Sequence, residues 1–315
     1  MQPTFCRHNR FIQNCPVCRE PEPPKPARAS RSAPPRGRGA SAASRGSRSA
    51  VRVRRLEQAV SDGYRSELAP GLKATADAQR LADELAFATA RLEELQSDPP
   101  GVYAEIAAEP DLEEALWLAF LTAYLTPTGG DDPFANIRSA HVPWSSGELP
   151  RLDVELGPRT SHDPASEERT VAAYRAWARR AGSQAAAFAG EAAWPPQRRF
   201  DRVFERLALP GFGRAGRYEL LVTLGRLGLV DVGPASLQLT DDATTLAAKR
   251  VFGIGDKMLL ERRALDLAQA ADLPIEALDL GLFNWAAVAT APARLGARTG
   301  VPDSHRFGVA EALGI

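Results

Sequence analysis

Asp242-Ala-Thr-Thr-Leu-Ala-Ala-Lys-Arg-Val-Phe-Gly-Ile-Gly-Asp-Lys-Met-Leu-Leu-Glu-Arg-Arg-Ala-Leu-Asp266 is the stretch whose reading decides the fold. A helical segment, with Thr240 and Asp241 placed to cap it, runs into Phe252-Gly253-Ile254-Gly255-Asp256-Lys257. A second amphipathic segment begins at once. Two glycines around one apolar residue let the backbone turn tightly with no Cβ to clash. Such a turn presents free N–H groups at the start of the second helix, where an anion is welcome.

Outward from this hairpin the pattern is helical almost throughout. Ala74 to Gln96 places Leu81, Leu85, Phe87, Ala88, Leu92 and Leu95 at near-helical spacing, and Ser97-Asp-Pro-Pro-Gly101 ends the segment. Leu112 to Leu125 is too apolar for a surface helix and stops at the turn-rich Thr126-Pro-Thr-Gly-Gly-Asp-Asp-Pro133. Four prolines, at 143, 150, 158 and 164, predict irregular chain over 141–167. Thr170 to Ala189 is again amphipathic, and Phe200 to Leu207 reads as a short helix. Leu152-Asp-Val-Glu-Leu156 is too short and isolated to found a sheet, so the expected class is all-α.

Charge is divided unevenly although the chain is formally neutral. Of 39 basic residues, 13 lie in 1–55 against two of the 39 acidic ones; the remaining 260 residues hold 26 and 37. A basic arm on an acidic body points to a polyanionic partner. From Pro23 to Arg55 there is no acid and no apolar periodicity, which predicts a disordered basic linker over 21–55. Ahead of it, Cys6-Arg-His8 and Cys15-Pro-Val-Cys18 supply three thiolates and one imidazole, the four ligands of a tetrahedral structural Zn2+. A redox Cys-x-x-Cys is the alternative, but no thioredoxin-like strand and helix surround it. A closed four-ligand site leaves no position for substrate, so residues 1–20 are assigned no chemistry. Residues 56–315 form the expected helical body, with 56–110 as its N-terminal extension. The most apolar run, Ala115 to Leu125, is eleven residues and too short to span a bilayer, so a cytoplasmic, nucleoid-associated protein without a membrane partner is expected.

Three blocks then carry a resemblance. Gly253 and Gly255 are followed, 24 residues after the second, by Asp279 in Leu278-Asp-Leu-Gly-Leu-Phe-Asn-Trp285. Upstream stands Pro210-Gly-Phe-Gly-Arg-Ala-Gly-Arg-Tyr218, and further upstream Leu116-Trp-Leu-Ala-Phe-Leu-Thr-Ala-Tyr-Leu-Thr-Pro-Thr128. The ensemble resembles the helix-hairpin-helix DNA glycosylase superfamily. With the Cys-His-Cys-Cys segment it looks most like clade 3 of the alpha-glutamyl/putrescinyl thymine pyrophosphorylases. The resemblance implies a helical glycosylase-like fold and a DNA partner gripped through Gly253, Gly255, Lys249 and Arg250. It implies Asp279 as a catalytic carboxylate opening a helix, and Lys257 at the position where some members keep a nucleophilic amine. The implied reaction is displacement of pyrophosphate from a flipped, 5-substituted thymine by an amine or amino acid, with Arg214, Arg217, Lys249 and Arg250 available to clamp the leaving anion.

Alternatives stay open at this point. Pro210-Gly-Phe-Gly213 can itself serve as the hairpin, with Asp231 as its acid. Arg214 and Arg217 can equally pair with Glu219 or Asp231. Lys257 can be a solvated lysine, and Asp279 a helix cap. DNA N-glycosylase action and a catalytically silent DNA-binding adaptor are the competing functions. The 24-residue gap, Glu261-Arg-Arg263 on the second hairpin helix, the missing four-cysteine iron–sulfur loop and the acidic body depart from the glycosylase pattern. The oligomeric state leaves no trace in the sequence.

Overall fold

The computed structural model describes residues 59–287, 292–298 and 300–315. All described residues belong to one compact unit, Arg54–Ile315. Cys6, His8, Cys15, Cys18 and the 21–55 linker lie outside the described residues.

Twelve α-helices and no strand appear among the described residues. Helix α1 (Thr75–Ser97) follows the long apolar segment seen in the sequence, and its heptad-like face is buried. A short helix α2 (Val102–Ala108) precedes α3 (Leu112–Leu125), which keeps the expected limits and buries ten of its side chains. Asp111 caps α3 by accepting from the Glu113 amide at 3.0 Å. Trp117, Phe120 and Tyr124, three and four residues apart, line one face of α3. Phe120 stacks on Tyr174 with ring centroids 3.9 Å apart, and Phe212 meets it edge-on. Such pairs contribute about 0.5–1.5 kcal/mol each beyond their burial.

Helix α4 (Ala135–Ala140) is followed by the irregular stretch that the prolines predicted, broken only by a 3-10 turn at Trp144–Ser146. The single amphipathic segment expected over 170–189 is two helices, α5 (Glu167–Ala181) and α6 (Gln184–Ala189). Gly182, at φ +97°, ends the first, and the Ser183 side chain caps the second. Next come α7 (Pro196–Arg206), α8 (Arg214–Arg226), α9 (Ala243–Phe252) and α10 (Lys257–Ala270). Helices α11 (Ile275–Ala286) and α12 (Asp303–Leu313) close the chain.

Two groupings position the site. Helix α11 packs between α1 and α9, and α12 covers α1; α3 packs on α8 and α2. At the α1–α11 crossing Gly281 allows close approach, since a Cβ there would lie 2.6 Å from Leu85 Cδ2. Helix α8 touches both α3 and α1, so its buried side chains reach the middle of the body. Among the described residues no helix is long and apolar enough to cross a membrane.

Candidate functional site

Two helix–Gly-x-Gly–helix turns are present. The first joins α7 to α8 through Leu209-Pro-Gly-Phe-Gly213, with Gly211 at φ +71°; the second joins α9 to α10 through Gly253-Ile-Gly-Asp256, with Gly253 at φ +67°. Positive φ is the reason for glycine at 211 and 253. Both halves of the choice left open by the sequence are therefore hairpins.

Their chemistry differs. At the second turn the cap of α9 is Asp242, not Thr240 or Asp241, and its carboxylate accepts from the Thr245 amide at 2.9 Å. Asp256 caps α10 in the same way, accepting from the Leu259 amide at 3.0 Å. That carboxylate occupies the place the sequence reading gave to a phosphate. Ile254 and Gly255 amides, by contrast, meet no acceptor among the described residues. Gly253, Gly255 and Lys257 are exposed, and Lys249 and Arg250 half-buried in the last turn of α9. There their charges also suit the helix dipole. At the first turn Gly213 provides no side-chain cap, so the first amides of α8 stay free of a side-chain acceptor.

Asp279 sits elsewhere than expected. It is the fifth residue of α11 rather than its opening residue, and it is 2% exposed. Its two carboxylate oxygens accept from Arg159 and from Arg214. The same Arg159 donates to Glu219 at 3.2 Å, and Glu219 also accepts from Arg91 at 2.6 Å. Arg214 further donates to Asp242 at 2.5 Å and to the Leu237 carbonyl at 2.7 Å. The result is a buried chain of alternating charge, Arg91–Glu219–Arg159–Asp279–Arg214–Asp242, in which three cations balance three anions.

Local fields follow from this order. Burial works against the Arg214 charge, but Asp279 and Asp242 together hold its pKa above the ordinary arginine value. Glu219 does the same for Arg91 against its own burial. Burial also resists ionisation of Asp242, yet Arg214 and Thr245 bring its carboxyl below the usual aspartate value. Tyr103, which accepts from Arg91 at 3.2 Å, is pushed by burial up to about 12 and stays neutral. A cavity of about 10 Å³ lies beside Arg91, Tyr218, Glu219, Glu276 and Asp279. It accommodates about one water, whereas small-molecule pockets run to roughly 300–1,000 Å³. No base fits against Asp279 in this arrangement.

Arg217 does not join Arg214 in an anion clamp: its guanidinium donates to the Phe204 carbonyl at 2.9 Å and lies over the Phe204 ring. Burial first, and then Arg214, lowers its pKa. Neither arginine pairs with Glu219 or Asp231. Asp231 is held by Arg199 near the start of α7, at the other end of that helix from the Pro210–Gly213 turn, so it does not complete that hairpin. Lys257 is the first residue of α10 and is exposed, while Asp279 is buried; the structure does not place the two on one accessible surface. His141, His162 and His305 each pair with a glutamate, Glu114, Glu167 and Glu93. Among the described residues no group of three or more His, Cys, Asp or Glu is arranged to hold a metal.

Arg91, Arg159, Glu219 and Asp242 are the charged residues that sequence reasoning did not single out as a site. Their partners lie 60 to 128 residues away along the chain for Arg159–Glu219 and Arg91–Glu219, beyond the reach of any periodicity. The one local signal was an arginine and a glutamate inside the apolar run Tyr218 to Leu224 and its flanking turn.

A family model described as alpha-glutamyl/putrescinyl thymine pyrophosphorylase clade 3 matches residues 159–290. The stretch contains both hairpins and five of the six charged-network residues, all but Arg91. The resemblance named from the sequence is thereby supported over that stretch. No curated protein and no solved structure matches the chain.

Proposed function

Proceeding from that family match, we propose that the protein is a DNA-directed, thymine-modifying transferase. The observation that carries the proposal is the match over 159–290, the stretch that builds both turns. DNA phosphates would meet the free amides of Ile254 and Gly255, with Lys249, Arg250 and Lys257 adding cationic contacts. The substrate in this reading is a thymine whose 5-methylene carbon bears pyrophosphate. An amine attacks that carbon, the carbon–oxygen bond breaks, pyrophosphate leaves, and the amine loses a proton. Catalysis of this kind rests on stabilising the departing anion, and no Schiff base is needed. Lys249, Arg250 and Lys257 are exposed or half-buried cations suited to it; Arg214 is committed to Asp279, Asp242 and the Leu237 carbonyl, while Arg217 is half-buried and donates to the Phe204 carbonyl.

Asp279 has a different part here. Its carboxylate orders Arg159 and Arg214, and Arg214 in turn holds Asp242 at the start of α9. It acts as a positioning residue that ties the α8 and α9 hairpin helices to α11. Its sequence-assigned catalytic role would require both arginines to leave it. Cys6, His8, Cys15 and Cys18 are proposed to hold one structural zinc, a donor set that suits tetrahedral Zn2+ and leaves it no catalytic position. Metal analysis of the purified full chain tests this through a stoichiometry of one zinc per chain.

A second reading is favoured by one specific observation, the closure of Asp279 beneath the surface with room for about one water beside it. In that reading the protein is a DNA-docking module on the same scaffold, without chemistry. Nucleoside mass spectrometry separates the two. DNA carrying the pyrophosphorylated thymine is incubated with an amine and the full chain. A new 5-aminomethyl-type nucleoside, lost in Lys249→Ala/Arg250→Ala, supports the transferase. Release of free base indicates a glycosylase instead, and unchanged nucleosides leave the docking module.

A further inference from the structure

Before α1 the chain forms a strap, residues 59–74, that none of the assignments above uses. Gly71 seats it against the second hairpin: its amide donates to the Val251 carbonyl at 2.9 Å. A Cβ at 71 would lie 1.8 Å from the Arg250 carbonyl oxygen and 2.6 Å from the Gly253 nitrogen, so backbone meets backbone and only glycine fits. The far end of the strap is pinned as well, because the Tyr64 hydroxyl donates to the Leu313 carbonyl at 2.6 Å. Asp62 stiffens it by accepting from the Thr75 amide at 2.9 Å and the Tyr64 amide at 3.0 Å. Between these anchors lies an open pocket of about 700 Å³, lined among others by Ser61, Tyr64, Arg65, Ser66 and Lys73.

The charges of this pocket are available. Arg65 is exposed and pairs with no acid among the described residues. Lys73 is exposed, and its ammonium donates to the carbonyl of Pro70, another lining residue, at 2.7 Å, which leaves its other two hydrogens for a ligand. Ser61 and Ser66 add hydroxyls. Two carboxylates count against an anion: Glu67, which also lines the pocket, and Asp62, whose oxygens the Thr75 and Tyr64 amides already occupy. Pro70, which lines the pocket, and its neighbour Gly71 pack on Gly253, the residue before the Ile254 and Gly255 amides that lack acceptors, and residues 1–55 of the sequence hold 13 basic residues against two acidic.

We propose that the strap pocket binds a phosphodiester segment of the same nucleic acid that lies on the 253–256 turn, with Arg65 and Lys73 as its phosphate ligands. This rests on the DNA reading above and extends it to a second, continuous contact. Gly71 keeps the two contacts in register.

The test is fluorescence anisotropy of a labelled DNA duplex with the full chain across a salt series. Arg65→Ala/Lys73→Ala is compared with Lys249→Ala/Arg250→Ala and with the unaltered chain. Each phosphate contact contributes about 0.9 to the slope of log affinity against log salt, so loss of two should lower the slope by about 1.8. The expected weakening at moderate salt is roughly tenfold, with thermal unfolding unchanged because both side chains are exposed. Affinity within twofold and an unchanged slope in the strap variant, with the hairpin variant weakened, would overturn the strap site and leave the DNA reading intact. Absence of binding by the unaltered chain at low salt would overturn both.

Discussion

Truncation of Asp279 is the perturbation with the sharpest outcome. The residue is 2% exposed and holds two guanidiniums that are themselves 2% and 1% exposed at the side chain. Asp279→Leu leaves both cations buried, each with one carboxylate fewer, and makes the network one positive charge in excess. Breaking a buried ionic pair by removing one partner costs about 3–5 kcal/mol, against a total stability of roughly 5–15 kcal/mol. For a body of this size each kcal/mol moves the midpoint by about 2–4 °C, so a fall of about 6–20 °C is expected in calorimetry. Arg159→Met should cost less, since Asp279 keeps Arg214 and Glu219 keeps Arg91. The pair Arg159→Met/Asp279→Leu restores charge balance and should recover about 0.5–3 kcal/mol relative to the sum of the single changes. A loss below about 1 kcal/mol for Asp279→Leu, or strict additivity in the pair, would refute the view that this network holds the site together.

Asp242 links stability to pH. Its carboxyl is lowered in the folded chain, so its contribution is present above the unfolded aspartate value, about 3.9, and is lost as pH falls through the folded one. Urea denaturation between pH 6 and 3 should show this acid-side loss, and Asp242→Asn should flatten it; an identical pH profile would count against the Arg214–Asp242 contact. Gly281→Ala forces a Cβ to 2.6 Å from Leu85 Cδ2 and should cost about 1–3 kcal/mol by overpacking the α1–α11 crossing, read as a shifted denaturant midpoint. Lys257→Ala, at an exposed position, should change stability by no more than about 0.5 kcal/mol while reducing the salt slope of DNA binding by about 1. Borohydride should trap no Lys257 adduct on abasic or modified DNA; a trapped adduct would reinstate the amine nucleophile.

Much of the architecture was legible before any coordinates. From Ala115 to Leu125 the run has no charged residue, which marks a mostly buried helix, and α3 keeps the limits Leu112–Leu125 and buries ten of its residues. The Ser97-Asp-Pro-Pro-Gly101 stop and the Gly-x-Gly turns are local backbone chemistry, and they lie where the residues say. Short-range capping was nearly legible too: Asp242, rather than its neighbours, caps α9, a choice between adjacent acids that only backbone direction resolves. The split at Gly182-Ser183 was missed because the apolar spacing continues across it, although a glycine followed by a capping serine was there to be read.

What the sequence determined by itself was the helical class and the two tight turns, set by neighbours within a few residues, together with the uneven charge and a family resemblance, which are read from residue order alone. What the tertiary structure decided was the fate of the charges. An aspartate in Leu-Asp-Leu-Gly reads alike whether it caps a helix, attacks a substrate or anchors two arginines, because its environment is made by residues 65 and 120 positions away. Burial removes Asp279 from bulk solvent and makes Arg159 and Arg214 its partners, while leaving Lys249, Arg250 and Lys257 exposed or partly so. Which charges are spent inside and which remain for a partner is a property of packing, and packing is set by contacts between segments far apart in the chain.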